Sequence, residues 1–475
     1  MVKQPEGRRL EFKSVVPSGN DLVKTVISFA NDAGGDLFIG IQDDPRKILG
    51  LEKGELIMIE ERISNFIHDL CDPTIIPEIN FLAEKGKHVV LIHIHKGSSP
   101  PYHMKSKGIV KGTFIRVGSA NRLATEEIIE GLVRQKKKVS FDSETLFQVP
   151  LGKVDLASFE DLFKKRVGGA LSFETLSKLN LISIEQGYQV LTNALILLSD
   201  APLRSELFPN AKVECARFKG IIPGEFIDQK SIDVNVSLQA EQAYQFVLRH
   251  ISQGSTDYTG VYRNDRWEYP IIAIREVIRN AVIHRDYSLR GKDIKIALFD
   301  DKIEITSPGK LMPSIDYNDM KSGQSDIRNT ALAPVFKKLG IIEQWGNGLK
   351  LIAEDLQDYP EIKLSWSEPG IAFRVVFIKT DYGVKQELQQ ELQQESLLSR
   401  VLNLVLKEDL SRRSISIELG QKRISGQLNQ TIKKLFVLGL VELTIKEIPQ
   451  SPQQKIRITR NGKMFLDILK ELKSQ

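Results

Sequence analysis

Cysteine is almost absent from this chain: Cys71 and Cys215, far apart, are the only two among 475 residues. So few thiols exclude a disulfide framework and a cysteine-based zinc centre. Long apolar runs are also missing, since none approaches the ~20 residues that a membrane span requires. Met1-Val-Lys-Gln-Pro-Glu lacks the apolar stretch of a signal peptide. The expectation is a cytoplasmic protein with no membrane partner. Neither disorder nor a fibrous repeat fits the composition, 41% hydrophobic and 27% charged, which is ordinary for globular protein. A chain this long does not build one core, and about three domains are expected.

Charge is unevenly spread over the net +5. Residues 397–475 hold fifteen Lys/Arg against seven Asp/Glu, and residues 1–140 hold twenty-one against eighteen, which leaves the middle acidic. Basic ends around an acidic centre point to polyanion contacts at the ends and another task between them. The competing reading is of solvated charged faces.

The densest chemistry is near the start. In Glu11-Phe12-Lys13 a strand period of two puts acid and ammonium on one face and the Phe on the other. Glu6 lies five residues before Glu11, which matches neither a helix face nor a strand face, so Gly7 must allow a bend. Residues 21–31 read as a helix with Leu22, Val26 and Phe29 at helical spacing. Gly34-Gly35 ends it, 36–41 reads as a strand, 55–70 as an amphipathic helix and 89–95 as a strand. Asp43 follows the strand that ends at Gly40. Three carboxylates so placed could hold a divalent metal against a phosphodiester; the alternative is a mobile N terminus and an Asp43-Asp44-Pro45 turn. His93 and His95 share a strand face but lack a third partner in the sequence, and read as ordinary strand residues.

Glu6-x4-Glu11-Phe-Lys, Phe29-Ala-Asn31-x2-Gly34-Gly35-x4-Gly40-Ile-x-Asp43-Asp44 and Gly50 resemble the Schlafen/AlbA-type domain over roughly residues 1–135. The resemblance implies nucleic-acid binding. It also implies, where the trio acts as in Schlafen ribonucleases, metal-dependent cleavage with Glu6, Glu11 and Asp43 as ligands of Mg²⁺ or Mn²⁺ and Lys13 beside them. Many domains of this type only bind DNA. Arg116 and Asn121, at the end of the family pattern, are expected to contact backbone phosphates. The Lys136-Lys137-Lys138 run reads as a solvated helix end.

Residues 141–245 carry no catalytic constellation; 191–198 is an apolar core segment. A helix around 237–251 leads to Glu276, Asn280 and His284, which helical spacing stacks on one face. A carboxylate, an amide and an imidazole in line are costly to bury without partners and suit the wall of a polar pocket. The block resembles the first box of GHKL-type ATPases, and more closely the divergent ATPase-like domain found behind Schlafen/AlbA domains in bacterial regulators. In order, these share His284–Ser288, the strand pair 294–305, Pro308-Gly309, Arg328-Asn329 and Gly346-Asn347-Gly348. The resemblance implies ATP as ligand, Asn280 holding magnesium, Glu276 orienting water, and His284, Gly309, Gly346 and Gly348 lining the site. Gly346-Asn-Gly348 before a helix would offer free amides to phosphate. Where these ATPases carry an adenine-binding Asp, this chain has Ser307.

The tail reads as helices over 397–407, 414–419 and 424–438, followed by strands 441–446 and 453–459 across a Pro-containing turn. That is the order of a winged helix–turn–helix. Lys422, Arg423, Gln427, Asn429 and Gln430 are its candidate base contacts, with Lys433 and Lys434 on phosphates.

The expected fold class is α+β and multidomain. Residues 1–138 form a Schlafen/AlbA-like α/β domain, 139–245 a connecting α/β region and 246–382 a GHKL-like α/β sandwich. A polar linker, 383–396, precedes a winged helix at 397–475. Two functions fit: a Schlafen-like nuclease acting on RNA, tRNA or DNA and gated by the ATPase-like domain, as in stress or phage defence, or a non-catalytic, ATP-binding transcriptional regulator on DNA. A homo-oligomer, dimer or larger, is expected.

Overall fold

The computed structural model describes residues 4–147, 149–259, 262–315, 317, 320, 326–342, 347–383, 397–421, 423–445, 451 and 453–474, without the side chains of 255–259, 262–265 and 471–474. The protein is mixed α+β and multidomain, and divides into two compact units, Met1–Ile378 and Lys379–Gln475. Most of the polar linker, 384–396, lies outside the described residues. No described helix is long and apolar enough to cross a membrane.

The first unit opens with β1 (Leu10–Lys13), α1 (Gly19–Ala30), β2 (Gly35–Ile39), α2 (Leu56–Leu70), β3 (Glu78–Glu84) and β4 (Lys87–Ile94). The four strands lie in the order β1-β2-β4-β3, with β1 parallel to β2 and the other pairs antiparallel. Ser18 starts α1 by accepting the Asp21 N–H, the usual N-cap arrangement. Leu22, Val26 and Phe29 of α1 and Ile63 and Ile67 of α2 then pack on Leu37, Val90 and Ile92 of the sheet. Each such fully buried side chain stabilises the fold by about 1.5–3 kcal/mol. Gly34, at φ +74°, joins α1 to β2 where an added Cβ would sit 2.7 Å from the Ile94 carbonyl oxygen. The opposite face of the sheet carries a smaller cluster of Leu10, Phe12, Phe38, Ile41 and Val89. A hairpin of β5 (Phe114–Val117) and β6 (Ala120–Leu123) precedes α3 (Glu126–Lys137).

Within the same unit, a six-stranded sheet is built from β7 (Val213–Phe218), β8 (Phe226–Ile232), β9 (Ile294–Leu298), β10 (Lys302–Pro308), β11 (Ile362–Ser367) and β12 (Ala372–Lys379). Their order is β8-β7-β9-β10-β12-β11. Helices α4 (Val236–His250), α5 (Ile271–Ile283), α6 (Leu332–Lys338) and α7 (Gly348–Asp355) belong to the same part of the chain. One core, which includes Phe246, Ile274, Val277, Ile296, Ile305, Phe336 and Phe377, runs through it. The sheet thus takes β7 and β8 from the region expected to be a connector, and residue 246 falls inside α4. The even apolar spacing of β7, with Val213 and Cys215 buried, gains its meaning only from parallel pairing to β9.

Two buried polar side chains fix the ends of helices around this core. Asn329 Nδ2 donates to the carbonyls of Ile283 (2.7 Å) and Arg285 (2.9 Å) where α5 ends. The carboxylate of Asp142 accepts the N–H groups of Ala331 (2.8 Å) and Leu332 (2.7 Å) at the start of α6. Both groups satisfy orphan helix-end atoms that water cannot reach.

The second unit consists of α8 (Leu397–Lys407), α9 (Arg412–Glu418), α10 (Gly426–Val437), a hairpin of β13 (Val441–Leu443) and β14 (Ile456–Ile458), and α11 (Arg460–Ser474). Leu402, Ile415, Leu428, Ile432, Leu435, Ile456 and Phe465 make its core. Ser411 and Ser425 cap α9 and α10 by accepting the Ser414 and Leu428 N–H groups. The first three helices and the hairpin follow the expected order, with shorter strands, and the C-terminal helix was not foreseen.

Asn329→Ala should lower stability by about 1–3 kcal/mol, because the Ile283 and Arg285 carbonyls lose the side-chain donor they share. Urea denaturation followed by tryptophan fluorescence and circular dichroism checks it.

Candidate functional site

The N-terminal acids are brought to one edge strand but are held separately. Gly7 donates its N–H to the Leu10 carbonyl, 3.0 Å away, and the resulting turn returns Glu6 to β1, where its Oε1 accepts the Phe12 N–H at 2.8 Å. Glu11 is buried. Its Oε1 lies 2.5 Å from Lys13 Nζ, and its Oε2 meets Arg116 Nη1. Asp43 pairs instead with Arg46 at 2.5 Å. The Arg46 guanidinium stacks 3.7 Å over the Phe12 ring and donates to the Gln4 carbonyl. Register explains the separation. Glu11 stands opposite Leu37, whose side chain belongs to the α1 face, whereas Phe12 stands opposite Phe38 on the other face. The Arg46–Asp43 pair therefore accompanies Phe12, away from Glu11.

Two expectations are corrected here. Among the described residues, no group of three or more His, Cys, Asp and Glu side chains is arranged to hold a metal ion, so Glu6, Glu11 and Asp43 do not form the anticipated cluster. Each carboxylate is occupied by a cation or a backbone N–H. Nor is Arg116 available to phosphate, since it is fully buried. It donates to the Gly7 carbonyl (3.1 Å) and to Asn121 Oδ1 (2.8 Å), and lies 5.2 Å over the Phe29 ring. Asn121 in turn donates to Thr25 Oγ1. A buried guanidinium needs a counter-charge and several acceptors, and Glu11 with this set of partners supplies them. His93 and His95 face Asp36 and Glu78 at 2.6 Å each.

The second constellation converges on one space. Glu276, Asn280, His284, Gly309 and Gly348, spread over more than seventy residues, line a cavity of about 520 Å³ with Ser307. Gly346 lies outside the described residues. Helix α5 supplies the first three, β10 and the following turn supply Ser307 and Gly309, and α7 begins at Gly348. A Cβ on Gly348 would stand 3.5 Å from Glu276 Oε2 and 3.9 Å from Asn280 Nδ2, so the helix start lies close to both side chains. Glu276 is buried and held by Arg279 Nη1 (2.8 Å) and Arg275 Nε (3.4 Å). Asn280 hydrogen-bonds the phenol of Tyr317, whose pKa burial pushes up. Ser307 Oγ donates to the Ala281 carbonyl at 2.7 Å.

His284 is the exception to this pairing. Its Nδ1 is buried with no hydrogen-bond partner among the described residues. Burial first and the Arg328 charge second push its pKa down to about 4, against a smaller pull from Asp326. The imidazole is therefore neutral at ordinary pH and faces the cavity with unused bonding capacity.

Sequence reading did not single out the cations of this cavity as ligand groups. Lys310, Arg328 and Lys337 also line it. Arg328 pairs with Asp286 (3.3 Å) and donates to the Lys310 carbonyl. Gly309 is needed between them: at φ +105° its absent Cβ would fall 2.9 Å from Asp286 Cβ. The cavity size suits a small-molecule ligand of nucleotide class. Its orphaned imidazole, three cations and adjacent helix N-terminus fit an anionic ligand.

On α10, Arg423 just ahead of it, Gln427, Gln430, Lys433 and Lys434 are exposed and Asn429 is half-buried; Lys422 lies outside the described residues.

The class of each part agrees with comparisons to known families. Residues 6–125 match the family model "Schlafen, AlbA_2". Residues 291–377 match "Putative ATP-dependent DNA helicase recG C-terminal", an ATPase-type family. The chain thus carries an N-terminal Schlafen/AlbA_2 domain followed by an ATPase-type domain of the RecG C-terminal family. It is 32% identical over 91 residues to an uncharacterized ATP-binding protein, UU034, of Ureaplasma parvum serovar 3, a stretch covering 18% of this chain and 26% of that protein. The chain thus matches about a quarter of that curated relative's length. The DIP2311 protein of Corynebacterium diphtheriae aligns over 97% of this chain and 94% of its own at 17% identity and a TM-score of 0.40. The N-terminal domain of a RecG-related protein from Nitrosomonas europaea aligns over 26% of this chain and 86% of its own at 21% identity, with a TM-score of 0.21.

Arg116→Ala should destabilise the N-terminal domain by about 3–5 kcal/mol, the cost of leaving a buried carboxylate with its main partner removed; thermal denaturation measures it. For His284 the sign follows from the depressed pKa. The unfolded imidazole takes a proton near its ordinary 6.5 and the folded one only near about 4, so its contribution is complete above 6.5 and is lost as pH falls toward 4. Melting temperature against pH should flatten across that window in His284→Asn.

Proposed function

We propose that this protein is a nucleotide-binding regulator of nucleic-acid contacts: the 520 Å³ cavity takes the nucleotide, and the Schlafen/AlbA_2 domain and the C-terminal unit contact nucleic acid. One observation carries the reading. Glu276, Asn280, His284, Gly309 and Gly348, singled out along the chain for nucleotide chemistry, line one cavity. The ATPase-type match and a relative described as ATP-binding support ATP as the ligand. When bound, ATP with Mg²⁺ would bring its phosphates to the α7 start and its ion to Asn280. The chain's own residues do the rest: Arg328, Lys310 and Lys337 balance negative charge, and neutral His284 accepts or donates one hydrogen bond at Nδ1. Ser307, already committed to Ala281, offers an acceptor rather than a carboxylate to the base.

Binding without cutting is favoured because each acid is engaged within the fold, Glu6 by a backbone N–H and Glu11 and Asp43 by cations. In the C-terminal unit, the exposed Arg423, Gln427, Lys433 and Lys434 and the basic composition support a winged-helix role on a duplex.

A second reading, a Schlafen-like metal-dependent nuclease, draws on Glu6 meeting β1 at Phe12, between Glu11 and Lys13. Arg116, Lys13 and Arg46 would have to release the carboxylates first.

ATP with Mg²⁺ should raise the melting temperature of the wild-type chain, and Asn280→Ala should abolish the shift; an undiminished shift in that variant would remove the cavity from the argument. Labelled tRNA and DNA incubated with Mg²⁺ or Mn²⁺ should be bound and left intact by wild type. Cleavage lost in Glu11→Ala would instead establish the nuclease.

A further inference from the structure

The ATPase-type cavity opens beside a second one. About 420 Å³ in volume, it lies where the N-terminal domain meets the region around Gly309 and Arg328. Lys310 and Arg328 line both spaces. The second is walled by six basic side chains, the other four being Arg8, Lys96, Arg134 and Lys138, against three acids, Asp32, Glu127 and Asp286.

Four of the six cations are committed. Arg8 and Lys310 share Asp32 at 2.5 and 2.9 Å, and Arg8 also reaches Glu368 at 2.8 Å. Arg328 holds Asp286, and Arg134 lies 3.6 Å from Glu144. Lys96 and Lys138 have no ion pair or side-chain hydrogen bond among the described residues. Lys138, at φ +56°, is the left-handed cap that closes α3 and is exposed where it lines the cleft. Burial lowers the pKa of Lys96 against the opposing pull of Asp326 and Asp32, with a smaller push the same way as burial from Arg8 and Arg328. A concave wall with excess positive charge focuses potential on an anion more strongly than a flat basic surface does.

We propose that this junction cleft is a phosphate-binding site, with Lys96 and Lys138 as its uncommitted ligands and Lys310 and Arg328 shared with the neighbouring cavity. The phosphate comes either from the polyphosphate of the nucleotide next door, in which case the site rests on the nucleotide-binding reading, or from a nucleic-acid backbone, in which case it stands apart from it. The cleft also replaces the buried Arg116 as the place where the N-terminal domain presents basic groups to phosphate.

Calorimetric titration of the full chain tests this with four probes: inorganic pyrophosphate, ATP, adenosine and a short single-stranded oligonucleotide. Wild type is compared with a Lys96→Met/Lys138→Met double variant and with Lys136→Met/Lys137→Met, an equal charge loss outside the cleft. The cleft variant should weaken at least one phosphate-bearing probe by about tenfold or more, with adenosine unchanged, and the control by less than about twofold. Loss confined to ATP and pyrophosphate assigns the site to the nucleotide tail; loss that includes the oligonucleotide assigns it to the backbone. Equal losses in both variants, no loss in either, or no binding of any phosphate probe to wild type would overturn the site. Failure of the nucleotide reading shows separately, as pyrophosphate or oligonucleotide binding without a response to ATP or adenosine.

Discussion

Burial of opposite charges against one another is the constraint on which this structure turns, and Asp32 is where it is felt most. Its carboxylate sits at the end of α1 and receives Arg8 from the N-terminal turn and Lys310 from the strand end of the ATPase-type sheet. Burial alone would raise its pKa, yet the two cations outweigh that and leave it below the ordinary carboxylate range. Removal of any one member strands the others in a poorly solvated place, which is why such networks resist separation even where their net contribution is small. Around it, Arg8 also donates to the Leu311 carbonyl, and Glu368 accepts the Leu311 N–H. The segment 309–313 is thereby stitched to the N-terminal domain on one side while Gly309 to Met312 line the 520 Å³ cavity on the other.

The same constraint decides what the N-terminal acids do. A carboxylate is a metal ligand or a salt-bridge partner according to what its neighbours leave open. Glu11, between Lys13 and the buried Arg116, completes the packing of β1 against α1. This assigns the Glu-Phe-Lys motif a structural duty regardless of any catalytic one, because Arg116 could not be buried without it. Asn31 behaves similarly: its amide group bonds the Tyr102 backbone twice and the Phe114 carbonyl once, which locks α1 to the segment before β5.

In the ATPase-type region, the recurring short motifs form a frame around a cavity. Asn329 holds the carbonyls at the end of α5, Arg328 holds Asp286, Asp286 receives a backbone bond by donating its own N–H to the Pro308 carbonyl, and Gly309 leaves room for it. The recurring Arg328-Asn329 pair is engaged in holding the chain on either side of His284, whose Nδ1 is left without a partner among the described residues. A pocket wall assembled this way is rigid before ligand arrives, which reduces the ordering cost of binding.

Local periodicity determined a good deal. The helical spacing of Leu22, Val26 and Phe29, the glycines after α1 and the one-face stacking of Glu276, Asn280 and His284 were legible because they depend only on neighbours within a turn or two. Apolar stripes likewise marked the helices of the C-terminal unit, whereas their serine caps came from the structure. What the chain could not disclose by itself is every relation set by long-range pairing: Arg116 closing on Glu11, Asp142 capping a helix at residue 331, β7 and β8 joining the sheet beyond residue 246, and Asp32 gathering Arg8 and Lys310. Charge has no period, and a basic or acidic residue looks the same in a sequence whether solvent or a buried partner neutralises it. Only the folded arrangement decides which, and with it which charges remain free to bind.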